Sequence, residues 1–185
     1  MPRLLGKNIM LREYQAEDLS FMRAWVNDAK ITDNLSDLFL LPHSQKDTER
    51  YLNSILNHEY SDQIHFVISE KEADKYLGQI DIMHIDWKNR FAEFGIVIPA
   101  EANQNKGIGS EAIHLLQDYV FRKLNLNRLQ LNLHEYNLRA YNCYKKCGFI
   151  EEGRLRKHFF TNGQYWDTIS MSILKDEYLK LRSND

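Results

Sequence analysis

The sequence predicts an α/β (α+β) protein, with a mixed, mostly antiparallel sheet of about seven strands and about four helices. Three observations predict it. Segments that alternate polar and apolar residues are interspersed with segments whose apolar residues recur at helical spacing. Three strand-like segments in the middle of the chain are joined by short polar connections, which suits an antiparallel meander. Near the C-terminus, Asn162-Gly163 separates two long strand-like runs, as in a hairpin turn.

The elements follow in order. Asn8 to Arg12 alternates as a half-buried strand does, and Glu17-Asp18 opens a helix with Leu19, Met22, Trp25 and Val26 on one stripe. Asp28 to Pro42 has no clean period and reads as a mobile loop over a site. Ser44 to Asp47 is a capping-box pattern, followed by Tyr51, Leu52, Ile55 and Leu56 at helical spacing. Strands are expected at Ile64 to Glu70, Tyr76 to Ile85 and Arg90 to Ile98. Gly107 to Lys123 carries the strongest helical period, through Ile108, Ala112, Leu115, Leu116, Tyr119 and Val120. Arg128 to Leu133 alternates as a strand. Leu138 to Lys146 is a short helix ended by Gly148. Phe149 to Phe160 and Tyr165 to Lys175 are the hairpin strands, and a short helix closes the chain near Glu177 to Leu181.

Bulk properties narrow the function. The 185 residues fit one domain, 1–185, and show no repeat, low-complexity tract or linker. Hydrophobic residues are 43% and charged residues 27% of the chain, ordinary for a globular protein. A net charge of -2 with interspersed signs gives no basic footprint for nucleic acid. No apolar run is long enough to span a bilayer, and the first residues lack a signal-peptide stretch, so the expected location is cytoplasmic. The two cysteines, Cys143 and Cys147, lie one helical turn apart, without zinc or redox spacing, and read as packing residues. The histidines show no ligand spacing, and no metal is expected.

The segment Gln104-Asn105-Lys106-Gly107-Ile108-Gly109-Ser110 carries chemistry. It lies between a strand ending at Ile98 and the long helix. Glycines there let a ligand approach backbone N–H groups that the first helical turn leaves unpaired, at the positive end of the helix dipole. A pyrophosphate suits such a site. The segment is neither a Walker A loop nor a Gly-x-Gly-x-x-Gly dinucleotide fingerprint. By itself it also fits a plain tight turn.

Gln-x-x-Gly-x-Gly between a strand and an amphipathic helix resembles the coenzyme A pyrophosphate loop of the GNAT acetyltransferase superfamily. Downstream, the block from Asn137 to Phe149, with Ala140, Tyr144 and Gly148-Phe149, is similar to that superfamily's Asn-x-x-Ala-x-x-x-Tyr-x-x-x-Gly-Phe pattern. The element order resembles the GNAT fold over nearly the whole chain. Ala92-Glu93-Phe94, Glu152-Gly153-Arg154-Leu155 and Phe159 to Tyr165 resemble the branch of ribosomal-protein and spermidine N-acetyltransferases.

The resemblance implies acetyl-CoA as cosubstrate and transfer of its acetyl group to a primary amine within a ternary complex. It implies that Tyr144 is the general acid for the departing thiolate. Residues Gln104 to Ser110 would cradle the pyrophosphate. Asn137 and Ala140 would line the pantetheine arm, and the backbone of Ile96, Val97 and Ile98 would pair with it as another strand does. Two structural alternatives stay open: Tyr144 as a buried helix tyrosine, and Asn137 as a helix N-cap. Glu93 is the candidate base, with an ion pair to Arg90 or Arg128 as its structural alternative; His134 and Glu135 are in reserve.

The acceptor is expected to be a small, polyamine-like amine or a protein N-terminus, with Asp33, Asp37, Asp81 and Glu93 as candidate contacts for a cationic substrate. The segment Asn34 to Phe39 is less acidic than its counterpart in the spermidine enzymes. The resemblance favours a homodimer. A non-catalytic acyl-CoA-binding module of the same fold is the alternative function.

Overall fold

Strand pairing organises the chain. The computed structural model describes residues 3–99, 103–104 and 106–183. In order, the strands are β1 (Leu4–Leu5), β2 (Ile9–Arg12), β3 (Ile64–Glu70), β4 (Tyr76–Asp86), β5 (Phe91–Val97), β6 (Arg128–His134), β7 (Ile150–Thr161) and β8 (Gln164–Leu174). The helices are α1 (Leu19–Trp25), α2 (Ala29–Thr32), α3 (Gln45–Leu56), α4 (Ile108–Asp118), α5 (Leu138–Lys146) and α6 (Lys175–Arg182). The strands form one sheet in the order β1-β2-β3-β4-β5-β6-β8-β7. Every neighbouring pair is antiparallel except β5 and β6, whose parallel pairing needs the crossover that α4 supplies.

The alternation read in the sequence divides the two faces. Phe66, Ile80, Ile82, Phe94, Leu129 and Leu131 face a core completed by Ala112, Ile113 and Leu116 of α4 and Tyr144 of α5. On the opposite face, Val67 and Tyr76 pack with Tyr14, Met22 of α1, and Leu52 and Ile55 of α3. The stripes of α1, α3 and α4 are the apolar periods that predicted these helices.

The architecture agrees with the expected mixed, mostly antiparallel sheet, with eight strands where about seven were expected and six helices where about four were. The additional strand, β1, has two residues and no room for an alternation to show. The segment expected to be a loop from Asp28 to Pro42 holds α2 and a single 3-10 turn at Asp37–Phe39. Asp28 starts α2 by accepting from the backbone N–H of Lys30. An element of four residues is too short for a helical period. The long helix after Gly107 ends in one π-helical turn, Tyr119–Lys123. Among the described residues, no helix is long and apolar enough to cross a membrane.

Two irregularities interrupt the middle of the sheet. In β4 the register shifts between Ile82 and His84, so Met83 is an extra residue against β5. The β5–β6 pairing covers Phe91↔Arg128, Ala92↔Leu129 and Glu93↔Gln130 and stops there. Beyond it β5 stays on β4 through Val97, and β6 stays on β8 through His134. The two strands part and leave a gap between them.

Candidate active site

A cavity of about 1550 Å³ passes through that gap. It is lined from one face of the sheet by Met22, Tyr51, Asp81 and Glu93, and from the other by Ile113, Ala140 and Tyr144. The strands cease to pair where the cavity passes, so backbone groups of Gly95 to Ile98 border it.

The pyrophosphate-type segment stands at one end. Gly107 is the N-cap of α4, with φ of 81°, a left-handed conformation that glycine adopts without penalty. The first helical bond runs from Glu111 N–H to Gly107 O at 2.9 Å, leaving the N–H groups of the first turn outside the helical ladder. A Cβ built on Gly107 would meet nothing within 4 Å, so the space over this backbone is open. Gln104 is fixed from both sides: its Nε2 donates to Ile98 O at 3.3 Å, and its Oε1 accepts from Arg139 of α5. Gly107, Gly109 and Ser110 line the cavity, as do Arg139 and Lys146; Lys106 is exposed and, like Ile108, lies outside the lining. Asn105 lies outside the described residues. An open glycine backbone, unpaired helix N–H groups and two cationic side chains fit the diphosphate of a coenzyme A molecule.

Asn137 caps α5 by accepting from Ala140 N–H at 3.2 Å, and both residues also line the cavity. One turn later, Tyr144 is 8% exposed and edge-on to Phe94 and Phe149. Burial, with Cys143 and Cys147 adding to it, raises the Tyr144 hydroxyl well above the ordinary tyrosine value, so it stays protonated throughout the neutral range. Cys143 lines the cavity 3.4 Å from the Ser110 hydroxyl. A hydrogen bond from Cys147 holds the Cys143 thiol below its usual range.

Glu93 occupies the point where β5 and β6 part. It accepts from Gln130 Nε2 at 3.2 Å and Asn132 Nδ2 at 3.3 Å, both on β6. Neither candidate ion-pair partner reaches it: Arg128 pairs with Glu152, and Arg90 holds the backbone and side chain of Asn125. Two neutral amides orient the Glu93 carboxylate without neutralising it.

The candidate acceptor contacts separate. Asp81 is 7% exposed and lines the cavity. Asp33 and Asp37 are not among the lining residues. Asp33 closes α2 and faces the hairpin tip, accepting from Asn162 through its side chain and from Tyr136 through its carbonyl. Of the reserve bases, His134 lines the cavity and Glu135 does not, and both make structural contacts. His134 Nε2 is 3.1 Å from Leu35 O and its ring stacks on Phe159, while Glu135 accepts from Asp167 N–H and pairs with Arg154. Sequence reasoning missed Asp47 and Glu59, two further carboxylates on the lining: the capping box gave Asp47 a structural role, which it also fills by accepting from Ser44, and the exit of α3 carries no motif that marks Glu59. It also missed His65, opposite Asp81; only a strand register could have pointed to it. Among the described residues, no group of three metal-ligating side chains comes together.

A sheet opened at one parallel pair, with a glycine-capped helix beside the gap, defines an acyl-CoA-dependent transferase. The family model of the acetyltransferase (GNAT) domain matches residues 8–150, and the chain belongs to this family. It is 32% identical to a spermidine N(1)-acetyltransferase of Vibrio cholerae over 175 residues, which cover 95% of this chain and 98% of the relative. The crystal structure of the Vibrio cholerae spermidine N-acetyltransferase in complex with CoA and spermine superposes with a TM-score of 0.82 at 30% identity, covering 93% of this chain and 98% of that one. A dodecameric structure of the enzyme from the same organism matches with a TM-score of 0.77 at 31% identity, covering 94% and 98%. The chain is an N-acetyltransferase, and its reaction passes an acetyl group from acetyl-CoA to an amine.

Proposed function

We propose that the acceptor is a small cationic amine of the polyamine kind, acetylated by direct attack within a ternary complex. The division of charge along the cavity carries this reading. Arg139 and Lys146 line the end beside Gly107, where no carboxylate among the described residues joins the lining, whereas toward α1, α2 and α3 the carboxylates of Asp47, Glu59, Asp81 and Glu93 outnumber the cations Lys30 and Arg50. An anionic donor and a cationic acceptor are drawn to opposite ends of one passage. The named acceptor of the Vibrio cholerae relative supports the same class.

Each residue then has a role. When bound, acetyl-CoA supplies a thioester whose carbonyl carbon is open to attack. Gly107, Gly109 and Ser110, with Arg139 and Lys146, hold the diphosphate. Gln104 braces the loop against Ile98 and α5. The backbone of Ile96, Val97 and Ile98 pairs with the pantetheine amides on the edge that β6 leaves bare, and an N–H from that edge polarises the thioester carbonyl. Asn137 and Ala140 wall the arm. Glu93 takes a proton from the substrate ammonium, directly or through a water, and so frees the attacking lone pair. Tyr144 donates its proton to the departing thiolate, a role that burial prepares by keeping the phenol neutral. Residues 1–185 act as one domain, and copies of it assemble into an oligomer.

The deciding experiment measures free thiol released from acetyl-CoA with polyamines, aminoglycosides, amino sugars and peptides beginning with Ser, Ala or Met. Polyamines are expected to give the highest kcat/KM. A peptide turned over faster than any polyamine would overturn the proposed acceptor class.

A further inference from the structure

The α1–α3 face of the sheet holds a group that acetyl transfer leaves unused. His65 on β3 stands directly across from Asp81 on β4, and Asp81 stands across from Gly95 on β5. The His65 side chain is 8% exposed and belongs to the cavity lining. Its Nδ1 lies 3.2 Å from Asp81 Oδ1. Its Nε2 is buried and has no hydrogen-bond partner among the described residues.

Asp81 fixes the tautomer. A carboxylate can only accept, so Nδ1 carries the proton and Nε2 of the neutral ring presents a lone pair. Asp81 is itself held by Gln79 Nε2 at 3.2 Å and by the Tyr14 hydroxyl at 3.4 Å. Three tyrosine rings surround the imidazole: Tyr14, Tyr51 and Tyr60, with centroids 6.4, 6.2 and 5.8 Å away. A buried acceptor without a partner is costly and persists where something else satisfies it. An acceptor nitrogen beside a carboxylate, walled by aromatic rings, suits an ammonium or amine N–H.

We infer that His65 Nε2, oriented by Asp81, receives a second N–H of the acceptor amine and makes the enzyme selective for amines with two or more nitrogens. The inference rests on the amine-acceptor reading above and specifies it. Adjacent strands are roughly 5 Å apart, so His65 lies roughly 10 Å from Gly95 across the sheet, with Glu93 two residues further along β5. An aliphatic chain of a few methylenes joins nitrogens held at these two places. His65 determines specificity; Asp81 is its positioning residue.

The test compares thiol release from acetyl-CoA with putrescine and cadaverine against butylamine and pentylamine, in the wild-type protein, His65→Phe and His65→Gln. The wild type is expected to favour each diamine over its matching monoamine by roughly tenfold to a hundredfold in kcat/KM, the range of a hydrogen bond to a charged group. In His65→Phe the ratio should fall to about one, through a raised KM for the diamine, while KM for acetyl-CoA stays within about twofold. His65→Gln, which keeps an acceptor oxygen, should recover part of the preference. A wild type that turns over diamines and monoamines alike overturns the inference, and that outcome needs no variant. A diamine preference that survives in His65→Phe overturns it as well and leaves the amine-acceptor reading standing. No thiol release with any amine would remove both.

Discussion

At the scale of single residues, the site combines groups that burial has tuned with groups that hydrogen bonds have aimed. Replacing Tyr144 by Phe keeps the ring that packs on Phe94 and Phe149 and removes only the proton donor. The expected loss in kcat is about a hundredfold or more, with KM for acetyl-CoA within about twofold, measured by thiol release. Because burial raises the Tyr144 hydroxyl, kcat/KM should climb with pH as the amine loses its proton, with no fall from tyrosine ionisation below about pH 10. Gly107→Val puts a branched side chain on a left-handed backbone and into the open space beside it. CoA affinity measured by calorimetry should weaken about tenfold or more; unchanged affinity would remove the diphosphate from this turn. The sequence exposed these residues unevenly. Tyr144 and Gly107 stand in motifs, so both were legible. The surroundings of Glu93 were not, since Gln130 and Asn132 come from a strand 37 and 39 residues away.

At the scale of elements, caps and tethers hold the lining helices in place. Asn137 both starts α5 and lines the cavity, so Asn137→Ala should cost about 1 kcal/mol of stability by denaturant titration, besides any effect on turnover. Glu111 in the first turn of α4 accepts from the backbone N–H of Asn8 at 2.8 Å and of Ile9 at 3.3 Å, tying the helix to the β1–β2 connection. Burial alone would raise its pKa, but these N–H donors outweigh it and hold the carboxyl below its ordinary value. A lowered folded-state pKa gives stability that is present above the unfolded value and lost as pH falls through the folded one. Glu111→Gln should therefore lower Tm at pH 7, by an amount matching about 1 kcal/mol or less because solvent screens this partly exposed carboxylate, and the gap to wild type should close in scans below roughly pH 4. Element types were legible wherever a period had length to develop, as in α3, α4 and the β7–β8 hairpin. The short α2 and β1 were not, because a cap or a neighbouring strand creates them rather than a repeating pattern.

At the scale of the whole molecule, the sheet order and the cavity arise from contacts that no local pattern records. The crossover through α4 makes β5 and β6 parallel, and the gap exists because their pairing ends at Glu93 and Gln130. The resemblance implied that the backbone of Ile96, Val97 and Ile98 pairs with the pantetheine arm, but composition and spacing alone could not show where β5 and β6 part. Nor could they show that His65 and Asp81 lie opposite each other. Assembly belongs to this scale too. A relative forms a dodecamer, and the chain leaves Leu38, Leu40 and Leu41 exposed beside the cavity. Light scattering at several concentrations is expected to show an oligomer; a monomer throughout would remove assembly from the proposal.

The early end of the β5–β6 ladder also bears on how long the protein lasts. In the proposed complex the bare edge of β5 gains a partner only when the cosubstrate is in place, so the sheet is completed by a metabolite. A ligand that binds the folded chain alone stabilises it by mass action, about 2.7 kcal/mol at a hundredfold excess over Kd. Resistance to heat and to proteolysis should therefore rise as CoA or acetyl-CoA is added, with the amide protons on the bare edge of β5 slowing most in hydrogen exchange.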